Sequence, residues 1–462
     1  RIVSMKYNYK HMILLSFLLC LLVSCSDKDD SIRKNPFEPD SGHTYIKIAT
    51  TFNADTLYLS WELTHPEVSF DNYRIELSKP ATVKTVEKGE TTSYFTRVPY
   101  NEPVSVTLSL VKGSEVVNAN TIQAKIDGLD KVIAGIIIPD QGSVTAGDGM
   151  YSIPLPDGRS IFLMGDSYIG TVTNGQRPTS DRMYRNTYIV YDNGKVSAIY
   201  GYGGNKNASA AVPPGYSDEQ KWYWPGHGFV NGDKLYIFQT LMYQGGEGMW
   251  GFMYETTHIL EYNLPGLELN KVTPIPFKGS TDVHYGMAAL KDDNYNYIYA
   301  QVDVRNDMDP ITEVLVARTA VGNPYDNWQY YNGSGWSANS SDAVKLEGLS
   351  SVPVSSQFNV FKLRGKYVLL TQKKTFNSGE IYTFIADSPT GPWRNKQLIF
   401  KTYEQNTPHL LTYNAMAHPQ FEKDGMILVS YNVNTEVFAE QFSDVSTYRP
   451  RFFWVDIDKI MN

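Results

Sequence analysis

The pattern of hydrophobic and polar positions changes twice along this chain of 462 residues and divides it into three parts. One apolar run occupies residues 12–23, short alternating runs fill residues 44–126, and longer apolar runs paired around tight turns follow from residue 146 onward. Strict alternation predicts half-buried strands, and no segment keeps a helical period for more than about ten residues. The pattern therefore predicts an all-β protein with two folded parts behind an N-terminal segment.

The alternating part consists of about seven short strands separated by turn residues. Thr56–Trp61 and Asn72–Leu77 are examples in which every second residue is apolar. Short strands at such regular spacing predict a small β-sandwich, here over residues 43–127. No grouping of catalytic residue types occurs in it, so we expect a spacer or docking domain, joined to the larger part by a linker at residues 128–145.

The larger part, residues 146–462, repeats one unit five times. Each unit has a polar start, an apolar strand, a tight turn, a second apolar strand and further strands behind it. The five polar starts are Asp148, His227, His284, Gln357 and His418. Self-similar units of about four strands at this spacing predict a β-propeller, and five units predict five blades.

The polar starts predict a site, because the first strand of each blade lines the central channel of a propeller. The hairpin turn at Asp157 lies nine residues after Asp148 and nine before Asp166, so pairing across the hairpin brings the two carboxylates together. Carboxyl groups in such proximity ionise at different pH values, as glycoside cleavage requires. We therefore predict that Asp148 and Asp166 are catalytic. A cap at the end of a strand is the alternative for Asp166.

Glu247 is a second candidate for the catalytic acid. It lies in the glycine-rich loop Gln244–Trp250, which leaves the same predicted mouth and has the freedom to move over it. An ordinary solvent-exposed glutamate is the alternative, so the sequence leaves open which carboxyl group acts as the acid.

Three of the five polar starts are histidines, and this repetition predicts a polar site at the mouth rather than three separate core residues. Counting outward from each turn places His284 beside Asp303 and His418 beside Asn432. Histidines and carboxylates also suit a metal ion, but these come from different blades and share no ligand motif, so no metal site is predicted. The residues predicted to bind substrate are His227, His284, Gln357, His418, Arg185, Trp224, Trp250 and Asp303.

Composition excludes two classes of function. The formal net charge is −8 and no cluster of Lys and Arg follows the N-terminal segment, so a nucleic-acid partner is not expected. Both cysteines, Cys20 and Cys25, lie near the N-terminus, which excludes a disulfide framework and a cysteine metal site in the folded parts. Aromatic residues make up 13% of the chain and suit both strand packing and stacking on sugar rings.

The N-terminal apolar run is shorter than the ~20 residues that a membrane-spanning helix needs. Lys6 and Lys10 lie before it, and Leu22–Cys25 has the pattern that lipoprotein signal peptidases recognise. This arrangement predicts a signal peptide over residues 1–24 and a lipid anchor on Cys25 that attaches the protein to a membrane.

Residues 25–42 would then carry the lipid and act as a flexible spacer. The acidic stretch Ser26–Asp30 resembles the export signal that sends lipoproteins of Bacteroidetes to the outer face of the outer membrane. We therefore expect a surface-exposed outer-membrane lipoprotein. A tether that is merely well solvated is the alternative explanation of the acidic stretch.

Two resemblances to known families add to this picture. Leu59–Trp61, Asn72–Ile75 and Pro103–Leu108 resemble strands of a fibronectin type III module. In the larger part, from about residue 145 to residue 462, several segments resemble five-bladed glycoside hydrolases of the arabinanase and β-xylosidase type. Those segments are Ala386–Trp393, Trp328–Gly333 and His418–Phe421. Gly147-Asp148-Gly149 followed by Met164–Ser167 resembles related propeller families of Bacteroidetes that include endo-D-arabinanases.

The second resemblance implies roles for particular residues. It implies that Asp148 is the catalytic base and that His418 lies near a calcium ion or a water molecule on the propeller axis. The arabinanase type has a second aspartate at the start of blade two, where this chain has His227. Its acid glutamate belongs to blade three or four, where this chain has His284 and Gln357.

Together these expectations describe a surface-tethered glycoside hydrolase, and the resemblance favours arabinose- or xylose-type sugars. We expect a monomer that requires no cofactor, with a calcium ion on the axis as an optional one. The alternative is a glycan-binding lipoprotein that uses the same mouth without catalysis. The sequence leaves open whether hydrolysis retains or inverts the configuration of the sugar.

Overall fold

The computed structural model describes residues 44–64, 68–89, 92–99, 102–248, 251–304, 311–375, 378–404 and 407–462. Strands dominate these residues and the helices are short, which confirms the predicted all-β class. The predicted signal peptide, the lipid anchor at Cys25, the spacer and Trp250 lie outside the described residues. Within the described ranges, no helix has both the length and the apolar character needed to cross a membrane.

The first strands of the chain form two antiparallel sheets. They are β1 (Tyr45–Asn53), β2 (Thr56–Thr64), β3 (Asn72–Ser78), β4 (Ala81–Glu87), β5 (Ser93–Arg97), β6 (Pro103–Lys112) and β7 (Glu115–Lys125). One sheet has the order β1-β2-β5 and the other β4-β3-β6-β7. Trp61 of β2 packs edge-on against Tyr73 of β3, with 5.3 Å between ring centroids. The two sheets therefore face each other as a β-sandwich, while the resemblance to a fibronectin type III module stays a prediction.

A short helix, α1 (Lys131–Ile137), lies in the segment predicted to be only a linker. It begins after Asp130, whose side chain accepts hydrogen bonds from the backbone N–H groups of Val132 and Ile133 at 3.0 and 2.9 Å. Such an N-cap satisfies backbone donors that the helix itself leaves unpaired. Seven residues are too few to show a helical period, which explains why the sequence pattern does not predict this helix.

The described residues from 144 onward form five antiparallel sheets, numbered 1 to 5 in chain order. Sheet 1 contains β8 (Val144–Pro154), β9 (Ser160–Ile169), β10 (Met183–Tyr184), β11 (Thr187–Asp192) and β12 (Lys195–Ile199). Sheet 2 contains β13 (Lys221–Asn231), β14 (Lys234–Gln244), β15 (Phe252–Asn263) and β16 (Glu268–Pro274). Sheet 3 contains β17 (Val283–Lys291), β18 (Tyr295–Val304), β19 (Ile311–Ala320), β20 (Gln329–Tyr331) and β21 (Trp336–Ser337).

Sheets 4 and 5 complete the set. Sheet 4 contains β22 (Asn359–Leu363), β23 (Lys366–Gln372), β24 (Glu380–Ala386) and β25 (Arg394–Lys401). Sheet 5 contains β26 (Leu410–Lys423), β27 (Met426–Thr435) and β28 (Arg451–Asp456). Two short helices, α2 (Glu440–Ser443) and α3 (Ile457–Met461), lie before and after β28.

The five sheets form a closed ring around one axis. The innermost strands β8, β13, β17, β22 and β26 contact one another in that order, and β26 contacts β8. A ring of antiparallel sheets whose first strands meet at the centre is the architecture of a β-propeller, as predicted. Buried apolar side chains fill the spaces between neighbouring sheets. The hydrophobic core therefore lies between the sheets and leaves their ends free to carry polar groups.

Four of the five innermost strands carry a β-bulge near the polar start of the unit. The register shifts between Gly147 and Gly149, between Pro225 and Gly228, between Tyr285 and Ala288, and between Tyr413 and Met416. A bulge adds a residue to one strand and changes which residues pair beyond it. Two pairs predicted by counting are therefore wrong: His284 pairs with Gln301 rather than Asp303. Likewise, Asn432 pairs with Tyr413 rather than His418.

Side chains fill the channel behind the mouth. The hydroxyl group of Tyr151 in β8 donates a hydrogen bond to the carbonyl oxygen of Met287 in β17. Sheets 1 and 3 are not neighbours in the ring, so this contact crosses the axis. His227 stacks on the Tyr151 ring, with 5.2 Å between ring centroids. The axis below the mouth is therefore a packed core and not an open pore.

His227 and His418 belong to this core. His418 is fully buried, with Nδ1 2.7 Å from the Ser152 hydroxyl and Nε2 2.9 Å from the Ser430 hydroxyl. Nδ1 of His227 accepts the backbone N–H of Ala289 at 3.2 Å. Burial lowers the pKa of His227 to about 4 and that of His418 to about 3, so both rings are neutral. Buried rings engaged in this way do not reach a substrate at the mouth, which corrects the prediction for these two residues.

Replacing His418 by glutamine should flatten the dependence of folding stability on pH. The pKa of His418 is about 3 when folded and 6.5 as the reference for the unfolded chain, so the unfolded state binds one more proton between these values. The contribution of His418 to the free energy of unfolding is fully present above pH 6.5. It is lost as the pH falls below that value, by up to about 1.4 kcal/mol per pH unit.

The measurement is urea unfolding of both proteins between pH 7 and pH 4.5. We expect His418→Gln to be less stable than the wild type at pH 7, because it leaves the core less well packed, and to lose less stability on acidification. An equal loss on acidification in the two proteins would contradict the account of a neutral buried histidine.

Candidate active site

Asp148 and Asp166 lie side by side at the mouth of sheet 1. Asp148 occupies the bulge of β8, and Asp166 lies in the paired strand β9. Gly149 has a left-handed backbone (φ 103°), and a Cβ there would meet the backbone nitrogen of Gly165 at 2.8 Å. A Cβ on Gly165 would collide with Oδ1 of Asp148, so the carboxyl group lies over this glycine. The structure thus brings the two predicted carboxylates together through a bulge and not through a regular cross-strand pair.

The surroundings of Asp148 favour its protonated form. The Tyr413 hydroxyl donates a hydrogen bond to Oδ2 of Asp148 at 2.7 Å. Burial, and then the charge of Asp166, raise the pKa of Asp148 from 3.8 to about 7, although the hydrogen bond from Tyr413 acts in the opposite direction. Asp148 therefore keeps its proton up to about neutral pH and is able to donate it there.

Asp166 has more polar surroundings than Asp148. Nε1 of Trp224 donates to Oδ1 of Asp166 at 2.9 Å, and Nη1 of Arg185 lies 3.5 Å from Oδ2. Burial raises the pKa of Asp166, but the charge of Arg185 and the hydrogen bonds from Trp224 and Arg185 oppose that rise. Adjacent carboxyl groups titrate as a pair. The cationic partner favours negative charge on Asp166, so the first proton leaves that residue.

Aromatic and charged side chains surround Asp166. The Arg185 guanidinium lies over the Trp222 ring, 4.3 Å from its centroid, and Trp224 packs edge-on against Phe252 at 4.7 Å. A cavity of about 310 Å³ opens beside Arg185. Its lining residues are Arg182, Met183, Arg185, Asp218 and Glu219. Arg185 and Trp224, both predicted to bind substrate, thus contact Asp166, and Arg185 also lines the cavity, which the two aspartates do not line.

His284 and Asp303 lie in sheet 3 and are held by neighbouring groups. Nε2 of His284 is 2.9 Å from the carbonyl oxygen of Thr281, and the imidazole packs against Tyr254 with 4.0 Å between ring centroids. Asp303 forms an ion pair with Lys374 at 2.9 Å. Burial lowers the pKa of His284, so the ring is a neutral hydrogen-bonding group near pH 7.

Glu247 and Gln357 differ in how the structure holds them. Glu247 is exposed, and within the described part of its loop no hydrogen bond or ion pair joins its carboxylate to Asp148 or Asp166. This placement is that of an ordinary loop glutamate, the alternative already considered from the sequence. Gln357 is half-buried and donates a hydrogen bond to the carbonyl oxygen of Pro225 at 2.9 Å.

The sequence pattern does not predict Tyr413 and Tyr448 at the pair. β26 begins at Leu410, well before the polar start at His418, so Tyr413 falls outside the predicted first strand. The apolar residues between Leu410 and His418 are a signal that could have predicted a longer first strand. Tyr448 comes from the segment between β27 and β28, and its hydroxyl donates to the carbonyl oxygen of Asp166 at 2.9 Å. No local pattern marks a contact of such long range.

Among the residues that the structure describes, no three or more His, Cys, Asp and Glu side chains cluster as metal ligands do. The resemblance implies a calcium ion near His418, but calcium prefers oxygen ligands, and both ring nitrogens of His418 bond to serine hydroxyls. This histidine therefore does not fit as a calcium ligand.

The fold and the site together define a β-propeller protein with a carboxylate pair at one mouth. Residues 140–457 match the family described as Domain of unknown function (DUF5005), and the chain belongs to this family. No curated protein matches the chain.

Three solved structures of low sequence identity are similar to this chain to different degrees. A "putative hydrolase" from Bacteroides ovatus ATCC 8483 is 19% identical with a TM-score of 0.58, over 76% of this chain and 90% of that chain. The GH43_1 enzyme from Xanthomonas citri complexed with xylotriose is 14% identical with a TM-score of 0.41, over 70% of this chain and 91% of that chain. Zg3597, a family 117 glycoside hydrolase from the marine bacterium Zobellia galactanivorans, is 10% identical with a TM-score of 0.38, over 69% and 87%. Of these three, only the Bacteroides ovatus structure has a TM-score above 0.5, and its likeness to this chain concerns the fold alone.

Replacing Asp148 by asparagine should stabilise the folded protein at neutral and alkaline pH. Between pH 3.8 and about 7 the folded state keeps a proton on Asp148 that the unfolded state has released, so the linked stability is lost as the pH rises through this window. Asparagine has the same shape without the charge and avoids that loss. We expect the free energy of unfolding of Asp148→Asn to exceed that of the wild type by more than about 1 kcal/mol at pH 8, and by much less at pH 4.

Asp157→Asn is the matched control, because Asp157 lies in the turn of the same hairpin and a hydrogen bond from Arg159 lowers its pKa. This variant should gain no stability at pH 8. Urea unfolding of the three proteins at both pH values measures the difference. A loss of stability in Asp148→Asn at pH 8 would show that burial does not disfavour the charged form of Asp148.

Proposed function

We propose that this protein is a glycoside hydrolase that cleaves a glycan at the mouth of the propeller, with Asp148 and Asp166 as its two catalytic groups. The proposal rests on the different surroundings of the two neighbouring carboxyl groups. Those of Asp148 favour a bound proton, and those of Asp166 favour a negative charge. Glycoside hydrolysis needs this division, because a proton must reach the leaving oxygen while a carboxylate assists attack at the sugar carbon.

The surroundings of the pair assign the two roles. Asp148 donates its proton to the glycosidic oxygen as the bond from that oxygen to the anomeric carbon breaks. Asp166 either accepts a proton from an attacking water molecule, or attacks the anomeric carbon itself and is released by water in a second step. Both routes consume one water molecule: its hydroxyl group ends on the anomeric carbon, and its remaining proton restores the protonated pair.

This assignment reverses the role that the family resemblance implies for Asp148. The arabinanase type uses the equivalent aspartate as the base, whereas Arg185 stands next to Asp166 here and favours the ionised form of that residue. The higher pKa of Asp148 supports the same order of proton loss. The assignment therefore rests on the local charges and not on the family.

The rim supports a sugar as the substrate. Trp224 is half-buried beside Asp166, and the Arg185 side chain is 35% exposed, so both present polar or aromatic surface to a ligand at the pair. The resemblance favours an arabinose- or xylose-type sugar. The signal at Cys25 favours action at the cell surface, by a monomer that needs no cofactor.

A glycan-binding protein without catalytic activity is the second candidate. His284 and Gln357 stand where the arabinanase type has its acid glutamate, and neither is a carboxylic acid. In that case the carboxyl groups of the pair would accept hydrogen bonds from sugar hydroxyl groups, and the glycan would leave unchanged.

Replacing each carboxyl group separately should distinguish the two roles. Asp148→Asn should lower kcat on arabinans or xylans by about a hundredfold or more, and by far less on nitrophenyl glycosides, whose leaving group needs no proton. Asp166→Asn should lower kcat on both kinds of substrate, since both need the carboxylate. Release of reducing ends and of nitrophenol measures the two activities.

Asp157→Asn serves as the control and should keep wild-type activity, because Asp157 lies in the hairpin turn at the far end of β8 and β9. Equal activity of Asp148→Asn and the wild type on a polysaccharide would contradict the role of Asp148. Retention of the wild type on gels containing arabinan or xylan, without release of reducing ends, would favour the second candidate.

A further inference from the structure

Gln357 makes a contact that crosses the axis of the propeller. It lies just before β22 in sheet 4, and its Nε2 donates to the carbonyl oxygen of Pro225 in sheet 2 at 2.9 Å. Its Oε1 accepts a hydrogen bond from Nδ2 of Asn414 in sheet 5 at 3.2 Å. Sheet 3 lies between sheets 2 and 4 in the ring, so the first of these bonds spans the mouth. One half-buried amide thus connects three sheets.

Each partner of Gln357 adjoins a residue that holds one carboxyl group of the pair. Pro225 directly follows Trp224, whose indole donates to Asp166 at 2.9 Å. Asn414 directly follows Tyr413, whose hydroxyl donates to Asp148 at 2.7 Å. The chain of contacts therefore runs from one carboxyl group through Gln357 to the other.

The Asn414 end of this chain is itself held in place. Asn414 has a left-handed backbone (φ 51°) and lies in the bulge of β26. Its Oδ1 accepts a hydrogen bond from the Ser355 hydroxyl at 2.6 Å. Tyr413 pairs with Asn432, but the bulge leaves Asn414 without a regular partner, so the side-chain contacts of Asn414 help to fix the strand directly after Tyr413.

We infer that Gln357 is a positioning residue, which holds Trp224 and Tyr413 in place against the carboxyl groups of Asp166 and Asp148. The inference rests on the proposed function and gives Gln357 a role other than the substrate contact predicted from the sequence. Both amide atoms of Gln357 are already used within the protein. A side chain held at both amide atoms is suited to fixing the strands on either side of it, whereas direct contact with substrate would show itself in KM.

Loss of this contact has a defined electrostatic consequence. The groups that face Asp148 are Asp166, Tyr413 and Tyr448, and those that face Asp166 are Arg185 and Trp224. The hydrogen bonds from Tyr413 and Trp224 stabilise the ionised carboxylates. When these two side chains are free to move, the bonds weaken, and the pKa values of both aspartates rise.

Gln357→Met tests the inference, because methionine keeps the length of the side chain and removes both hydrogen bonds. The measurement is a pH titration of the Asp148 and Asp166 carboxyl carbons by NMR of the full chain, labelled with carboxyl-¹³C aspartate and assigned with Asp148→Asn and Asp166→Asn. We expect both midpoints to rise, by at least about half a pH unit. On a glycan that the wild type hydrolyses, we expect kcat to fall at least tenfold while KM changes less than twofold.

Asn231→Leu is the matched control. Its Nδ2 donates to Oδ1 of Asn296 at 3.2 Å, so this variant also removes an amide contact between two sheets, but at the hairpin-turn end, where β13 ends. It should lower stability comparably and leave the titration of the pair unchanged. Asn414→Gly provides a second variant should Gln357→Met not fold, because glycine accepts the left-handed backbone and removes the side-chain bonds to Gln357 and Ser355. It should raise chiefly the midpoint of Asp148.

The outcomes separate this inference from the proposed function. The titration needs no substrate, so a wild type that hydrolyses no glycan overturns the proposed function while the titration still decides the role of Gln357. Unchanged midpoints in folded Gln357→Met, or in Asn414→Gly, would overturn the inference. So would a rise in KM at constant kcat, which indicates direct contact with substrate, or an equal shift in Asn231→Leu.

Discussion

The proximity of the carboxyl groups of Asp148 and Asp166 is the constraint on which the chemistry of this structure depends. Two buried acids side by side are unfavourable, because ionising one makes it harder to ionise the other. The hairpin of β8 and β9 forces them together, and sheets 5 and 2 on either side supply the hydrogen bonds from Tyr413 and Trp224. The site is therefore complete only when the ring of sheets closes, and its chemistry is a property of the whole propeller.

The core beneath the pair is built to keep the mouth rigid. Tyr151 crosses the axis, His227 stacks on it, and His418 joins sheets 1 and 5 through Ser152. These polar groups hydrogen-bond to other groups of the protein, so the packed axis is specific as well as dense. The same arrangement makes the protein sensitive to acid, because the histidines fold in the neutral form. Burial thus keeps Asp148 at the mouth protonated and neutral, and keeps His227 and His418 at the centre unprotonated and neutral.

The sequence predicts the general architecture well because that architecture depends on local pattern. Alternation and repeated hairpins are enough for the sandwich, the ring of sheets and the proximity of Asp148 to Asp166. The bulges are not predictable from alternation, since one extra residue leaves the apolar pattern nearly unchanged and shifts every later pair. For that reason the predicted neighbours of His284 and His418 are wrong. A polar residue at the start of a strand can be buried in the core or face the mouth. Packing in three dimensions determines that His418 is buried and that Asp148 faces the mouth. Tyr448 comes from a distant part of the chain, which no local pattern reveals.

Near neutral pH we expect the two carboxyl groups to carry one proton between them, and that proton to lie on Asp148. The most direct test is the carboxyl-carbon titration of the wild-type protein, with each signal assigned by its asparagine variant. The account predicts that Asp166 ionises first and that Asp148 follows with a pKa of about 7, and that Asp166→Asn lowers the Asp148 midpoint because the neighbouring charge is gone. Two independent titrations below pH 5, each unaffected by substitution of the other residue, would contradict it.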